Sequence, residues 1–73
     1  MKRKIVFSIG TLSECLRLKR IFQNEKIPIS ILKLEEHKTK NGCAYGIEFA
    51  EQDLYSVVYN LTTRGISYNT YYN

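Results

Sequence analysis

Residues 43–64 read CAYGIEFAEQDLYSVVYNLTTR, and two different periodicities meet within them. The first part, Cys43 to Phe49, places Tyr45, Ile47 and Phe49 at every second position, the period of a half-buried strand. Gly46, between Tyr45 and Ile47, marks a bulge or a close approach of backbone. From Glu51 to Arg64 the period changes. Leu54, Val57, Val58 and Leu61 follow the i, i+3, i+4, i+7 spacing of a helix with one apolar stripe. Glu51 and Asp53 in its first turn and Arg64 in its last complement the helix dipole. Gly65 is a suitable stop. The stretch is therefore a strand followed directly by a helix.

The same pair of signals occurs earlier in the chain. Lys4 to Ile9 (KIVFSI) is β-branched and aromatic and predicts a strand that Gly10 ends. Thr11-Leu12-Ser13-Glu14 fits a capping box, and a helix follows to about Asn24. Leu12, Cys15, Leu16, Leu18 and Phe22 supply its apolar arc. Ile27 to Leu34 (IPISILKL) is a third extended run, and Pro28, which has no amide to donate, assigns it to a sheet edge. Residues 35–42 (EEHKTKNG) form a polar loop ending in an Asn-Gly turn signal. Ile66 to Tyr72 (ISYNTYY) completes the set as a last strand. The order is β-α-β-β-α-β. Two right-handed split units of this kind form a ferredoxin-like α+β domain. It has a four-stranded antiparallel sheet in the order 4-1-3-2, with both helices on one face.

The totals agree with a single small domain spanning residues 1–73. Of 73 residues, 44% are apolar and 25% charged, which excludes a disordered chain. A domain of this size buries only about 60% of its unfolded surface, so a large active-site cavity within one copy is not expected. No run approaches the ~20 apolar residues of a membrane helix. The apolar run Ile5 to Ile9 after the basic Met1-Lys2-Arg3-Lys4 is too short for a secretory signal, which points to the cytoplasm. The net charge of +4 permits nucleic acid or an acidic protein as partner without requiring either.

The topology draws attention to Cys43. In this fold the end of the first strand, the start of the first helix and the start of the third strand lie at one edge. Gly10, Thr11 and Cys43 are expected to be neighbours there. A thiol is a nucleophile only as the thiolate, and positive charge or a helix N-terminus lowers its pKa. The expected position supplies both: helix 1 begins nearby, and the loop carries His37, Lys38 and Lys40. Gly42 leaves the sulfur uncrowded. The competing reading is a small apolar residue at a strand start, since free cysteine is among the most buried residue types. Cys15 falls in the apolar arc of helix 1, where packing accounts for it. A resolving role toward Cys43 is the alternative.

In order and spacing, several short elements resemble the Se/S carrier protein-like family of small bacterial and archaeal domains. The matching residues are Gly10-Thr11, the helix segment Cys15 to Phe22, Ile27-Pro28, Gly42-Cys43, Asp53-Leu54 and Tyr71 or Tyr72. Together they span nearly the whole chain. Gly10 stands where the family usually has Ser, and Ala44 where Gly is common. Leu34-Glu35-Glu36-His37 replaces a Pro-rich segment. The resemblance implies a carrier rather than an enzyme. Cys43 would accept sulfur or selenium from a donor protein as a persulfide or selenosulfide and pass it to an acceptor protein, with no cofactor.

Two other readings fit the same order of elements. The RNA recognition motif is also βαββαβ, and residues 6–10 (VFSIG) and 40–49 (KNGCAYGIEF) faintly resemble its two sheet signatures. That module stacks bases on aromatics of strands 1 and 3, where this chain has Cys43 at the first expected aromatic. The third reading is a homodimeric interaction module. Tyr55 and Tyr59 lie outside the stripe of helix 2, Tyr68, Tyr71 and Tyr72 crowd the last strand, and tyrosine is enriched at interfaces. Lys2, Arg3, Lys4, Arg20 and Lys26 are expected at the end of the sheet opposite Cys43, as a docking patch or a solvated surface. His37 and the two cysteines lack paired ligand spacing, so no metal site is expected.

Overall fold

A computed structural model describes residues 3–34 and 44–71. The elements are β1 (Lys4–Gly10), α1 (Leu12–Asn24), β2 (Ile29–Lys33), β3 (Tyr45–Ala50), a 3-10 turn (Glu51–Asp53), α2 (Leu54–Thr63) and β4 (Asn69–Thr70). The sheet is antiparallel in the order β2-β3-β1-β4, which is the expected 4-1-3-2 order read from the other edge. The chain thus has the βαββαβ, ferredoxin-like arrangement.

Alternation along the strands builds the core. Phe7 and Ile9 of β1 and Ile47 and Phe49 of β3 point to the helix side. There they meet Cys15, Leu18 and Phe22 of α1 and Val57 and Leu61 of α2. The Phe7 and Phe49 rings pack edge to face, with centroids 5.0 Å apart. Tyr68 stacks on the other side of Phe7 at 4.6 Å. Tyr68 is therefore a packing residue, which limits the tyrosines left for an interface.

Two expected runs are shorter than their composition suggests, for one reason. Both helices end in a Schellman motif, which takes the next residues into the helix stop. At α1, Lys26 N–H donates to Gln23 O and Ile27 N–H to Phe22 O (3.1 and 2.8 Å). At α2, Gly65 N–H donates to Thr62 O and Ile66 N–H to Leu61 O (3.1 and 2.9 Å). Ile27 and Ile66 are thereby used as cap residues, and neither opens a strand. Pro28 has no amide for a ladder, so β2 begins at Ile29 rather than Ile27, at the sheet edge as expected. The last strand is only Asn69–Thr70, extended by Tyr71 N–H donating to Val6 O (2.8 Å).

The apolar arc of α1 is narrower than expected. Cys15, Leu18 and Phe22 are buried, but Leu12 and Leu16 are 42% and 54% exposed. At about 100° per residue they lie well around the helix from the buried three. The second helix also differs from its expected span. Glu51 to Asp53 form the 3-10 turn, so α2 starts at Leu54, and its bond-forming end carries Arg64 as the C-cap.

Candidate functional site

The turn from β1 into α1 is the structural centre of the expected thiol site. Residues 35–43 lie outside the described structure, so the expected placements of Cys43, Gly42, His37, Lys38 and Lys40 do too. The segment is bracketed on both sides. Leu34 N–H donates to Ala44 O at 2.7 Å, which joins the residues that flank it. One residue further, Tyr45 pairs with Gly10. The start of β3 therefore meets the end of β1, as the topology required. Gly10 lies opposite Tyr45, and Thr11 follows it into α1.

A bulge shapes this corner. Ser8 pairs with Gly46, but the next pair is Gly10 with Tyr45, so Ile9 is the extra residue on β1. Gly10 has φ +146°, a conformation that other residues rarely adopt. The Gly46 irregularity read from the sequence is thus the close approach, and the bulge itself lies on β1 across from it. A Cβ on Gly46 would overlap the carbonyl oxygen of Phe7 and come within 2.9 Å of Leu34 Cδ1. Leu34 is buried over this bare position.

Thr11 caps α1 as expected. Its hydroxyl accepts from Glu14 N–H (3.2 Å) and donates to Glu14 Oε1 (3.3 Å). The carboxylate of Glu14 consequently sits at the positive end of α1. This alters the electrostatics expected for a thiolate there, because an anion already meets the dipole at that end. Lys33 pairs with Tyr45, so one lysine of β2 borders this corner.

Cys15 is one turn into α1, fully buried in the core. Burial, with a smaller contribution from Glu14, pushes its thiol up to about 11. A thiol that stays protonated and enclosed is neither a nucleophile nor an accessible resolving partner near neutral pH. The packing reading of Cys15 fits its surroundings.

The aromatics that an RNA module would display are on the wrong side for that use. Phe7 and Phe49 are buried under the helices, and Tyr45 packs against the same core. On the opposite face β1 and β3 carry Val6, Ser8, Gly46 and Glu48, none of which offers a ring for a base. Ser8 is itself buried, with its hydroxyl donating to Asn69 O (3.3 Å).

The far end of β1 holds the basic residues. Arg3 Nη1 lies 3.8 Å from Glu51 Oε2, and Glu51 N–H donates to Arg3 O at 3.0 Å. Arg3, Lys4, Ile5, Leu54, Tyr68 and Tyr71 line an open groove of about 550 Å³ there. Because α1 runs opposite to β1, Lys26 lies toward this end as well. Lys2 is outside the described residues. No helix among the described residues is long and apolar enough to cross a membrane. No three His, Cys, Asp or Glu side chains among them converge on a metal position.

One polar cluster was not legible as a site. Asn60, buried at the joint of the two helices, donates from Nδ2 to Glu25 Oε1 (3.1 Å) and to Ser56 O (2.8 Å). Its Oδ1 accepts from Arg64 Nη1 (3.1 Å). It fastens the ends of α1 and α2 together and has the satisfied geometry of a structural clamp. Comparison with protein-family models, with curated proteins and with solved structures finds no match to this chain.

Proposed function

We propose that the protein is a carrier that relays sulfur or selenium on Cys43. The observation that carries this reading is the pairing of Gly10 with Tyr45, which brings the β1–α1 turn to the backbone two residues beyond the thiol. The second thiol, Cys15, is enclosed and held protonated, so Cys43 is left to do any thiol chemistry. The resemblance to carrier domains in the order Gly10-Thr11, Ile27-Pro28, Gly42-Cys43 supports the same assignment.

The transfer needs no cofactor and no external oxidant. The Cys43 thiolate attacks the outer sulfur of a donor protein's cysteine persulfide. The donor's S–S bond breaks, and the donor leaves as a thiolate with the electron pair. A new S–S bond forms on Cys43, so one bond of each kind is made and broken. With selenium, the outer atom is selenium and the product a selenosulfide. An acceptor thiolate then attacks the outer atom and restores the Cys43 thiolate. The protein positions the thiol and carries the atom between two partners.

Such a relay requires a thiolate near neutral pH. The test is the rate of iodoacetamide alkylation against pH, read by mass on the intact protein. Cys43 is expected to react with an apparent pKa below the ordinary thiol value of about 8.5, while Cys15 stays unmodified. Slow alkylation at Cys43, with an apparent pKa at or above that value, contradicts the proposal.

A further inference from the structure

Among the described residues the sheet ends at β2, and the chemistry of that edge is specific. We propose that β2 is a docking site for an extended, acidic segment of another protein, which adds as a fifth antiparallel strand. This inference is independent of any reaction at Cys43.

The backbone parity comes from one hydrogen bond and the register. Leu34 N–H donates to Ala44 O, and the pairs from Ile29 with Phe49 to Lys33 with Tyr45 run without a shift. In an antiparallel ladder alternate residues turn their backbone groups to opposite sides. Leu34, Leu32 and Ser30 face β3. Ile29, Ile31 and Lys33 therefore turn their N–H and C=O groups outward, where no described residue pairs with them. This is the row of donors and acceptors that strand addition uses. The opposite edge is less suited. β4 has two residues and lies against the bulged strand.

The flank decides the occupant. Leu12, Leu16, Lys19 and Gln23 recur at helical spacing and form one side of α1. The other side carries Glu25, which bonds to Asn60 of α2, so the stripe looks away from α2 and over β2. Among the described residues, two exposed leucines and two lysines, Lys19 and Lys33, consequently lie beside the outward edge. Both acidic residues of α1 and its cap, Glu14 and Glu25, are on the side away from the edge. A second copy would bring the same positive flank against this one, and an exposed edge lysine opposes self-pairing. An incoming strand with apolar residues opposite Ile29 and Ile31 and a carboxylate opposite Lys33 matches both the backbone and the charge.

The probe is the blocked peptide Asp-Asp-Glu-Val-Val-Thr-Val, added to the full chain and followed by amide NMR and hydrogen exchange. The amides of Ile29, Ile31 and Lys33 are expected to shift and to exchange more slowly. Methylating the peptide amide that faces Ile31 should abolish binding. Lys33→Glu, at an exposed position, should weaken it about tenfold, with the amide spectrum confirming the fold. The proposal is overturned if the peptide does not bind or perturbs other residues instead. It is also overturned if both modifications leave binding unchanged. Protection of the same three amides without peptide, together with a concentration-dependent mass, overturns it in favour of a second copy.

Discussion

The carbonyl oxygen of Phe7 occupies the space that a Cβ on Gly46 would need. The two residues lie on adjacent strands at the point where β1 bulges, and the gap left by the missing side chain is filled by Leu34. The obstruction is backbone, so it has no rotamer by which to yield. Gly46→Ala is therefore expected to destabilise the domain by roughly 3 kcal/mol, at the upper end of overpacking costs. Urea unfolding measures this directly. A midpoint unchanged from the parent would mean that β1 and β3 are further apart than described.

Lys26 holds the left-handed position of the α1 stop, with φ +60°. Gly65 holds the equivalent position of the α2 stop, with φ +67°. The hydrogen bonds of the two stops are the same, but only one has the residue that adopts this conformation without steric cost. Lys26→Gly should stabilise the protein by about 0.5–1 kcal/mol, the steric relief being partly offset by a more flexible unfolded chain. The converse change, Gly65→Ala, should destabilise it by about 1 kcal/mol. Thermal unfolding of the two variants should move in opposite directions.

Cys15 makes stability depend on pH in the alkaline range. Its folded pKa is raised from 9.0 to about 11. Between those values the unfolded thiol has lost its proton and the folded one has kept it. The folded state then binds more protons, so stability falls as pH rises. The loss from this group is on the order of 2 kcal/mol by pH 11. Because tyrosines and lysines also titrate there, the informative quantity is the difference between the parent and Cys15→Ala. The parent should lose stability more steeply above pH 9. Parallel curves would show that Cys15 ionises freely in the folded state.

The path from sequence to structure was clearest where periodicity acts over a long run. Leu54, Val57, Val58 and Leu61 specified the inner stripe of α2, and Tyr45, Ile47 and Phe49 the inner face of β3. Thr11 and Glu14 named the start of α1. What composition could not supply was the claim that a helix stop makes on the following residues. Ile27 and Ile66 have strand chemistry, yet their amides close the helices. Leu12 and Leu16 have core chemistry, yet the helix phase turns them outward. Asn60 was invisible for the opposite reason. A polar residue beside an apolar stripe carries no periodic signal, and its three partners come from Glu25, Ser56 and Arg64.

Of the frame expected around Cys43, Gly10 and Thr11 are among the described residues, and Cys43 and Gly42 lie outside them. The expected meeting of the end of β1 with the start of β3 is seen in the pairing of Gly10 with Tyr45. The same capping box that identifies α1 also places the Glu14 carboxylate at the helix end that was expected to favour a thiolate. The two consequences of one motif act against each other, and only the position of the carboxylate reveals the second.

Two long side chains mark the solvent side of α2. Tyr55 and Tyr59 are 91% and 68% exposed and one turn apart, and Tyr68 is withdrawn onto Phe7.

The proposed relay requires that Cys43 itself accept the transferred atom. The most direct measurement is the intact mass of the protein after incubation with a cysteine desulfurase and cysteine, for the parent and for Cys43→Ser. One added sulfur is expected on the parent and none on Cys43→Ser, which still contains Cys15. An adduct formed equally on both proteins, or on neither, would contradict it.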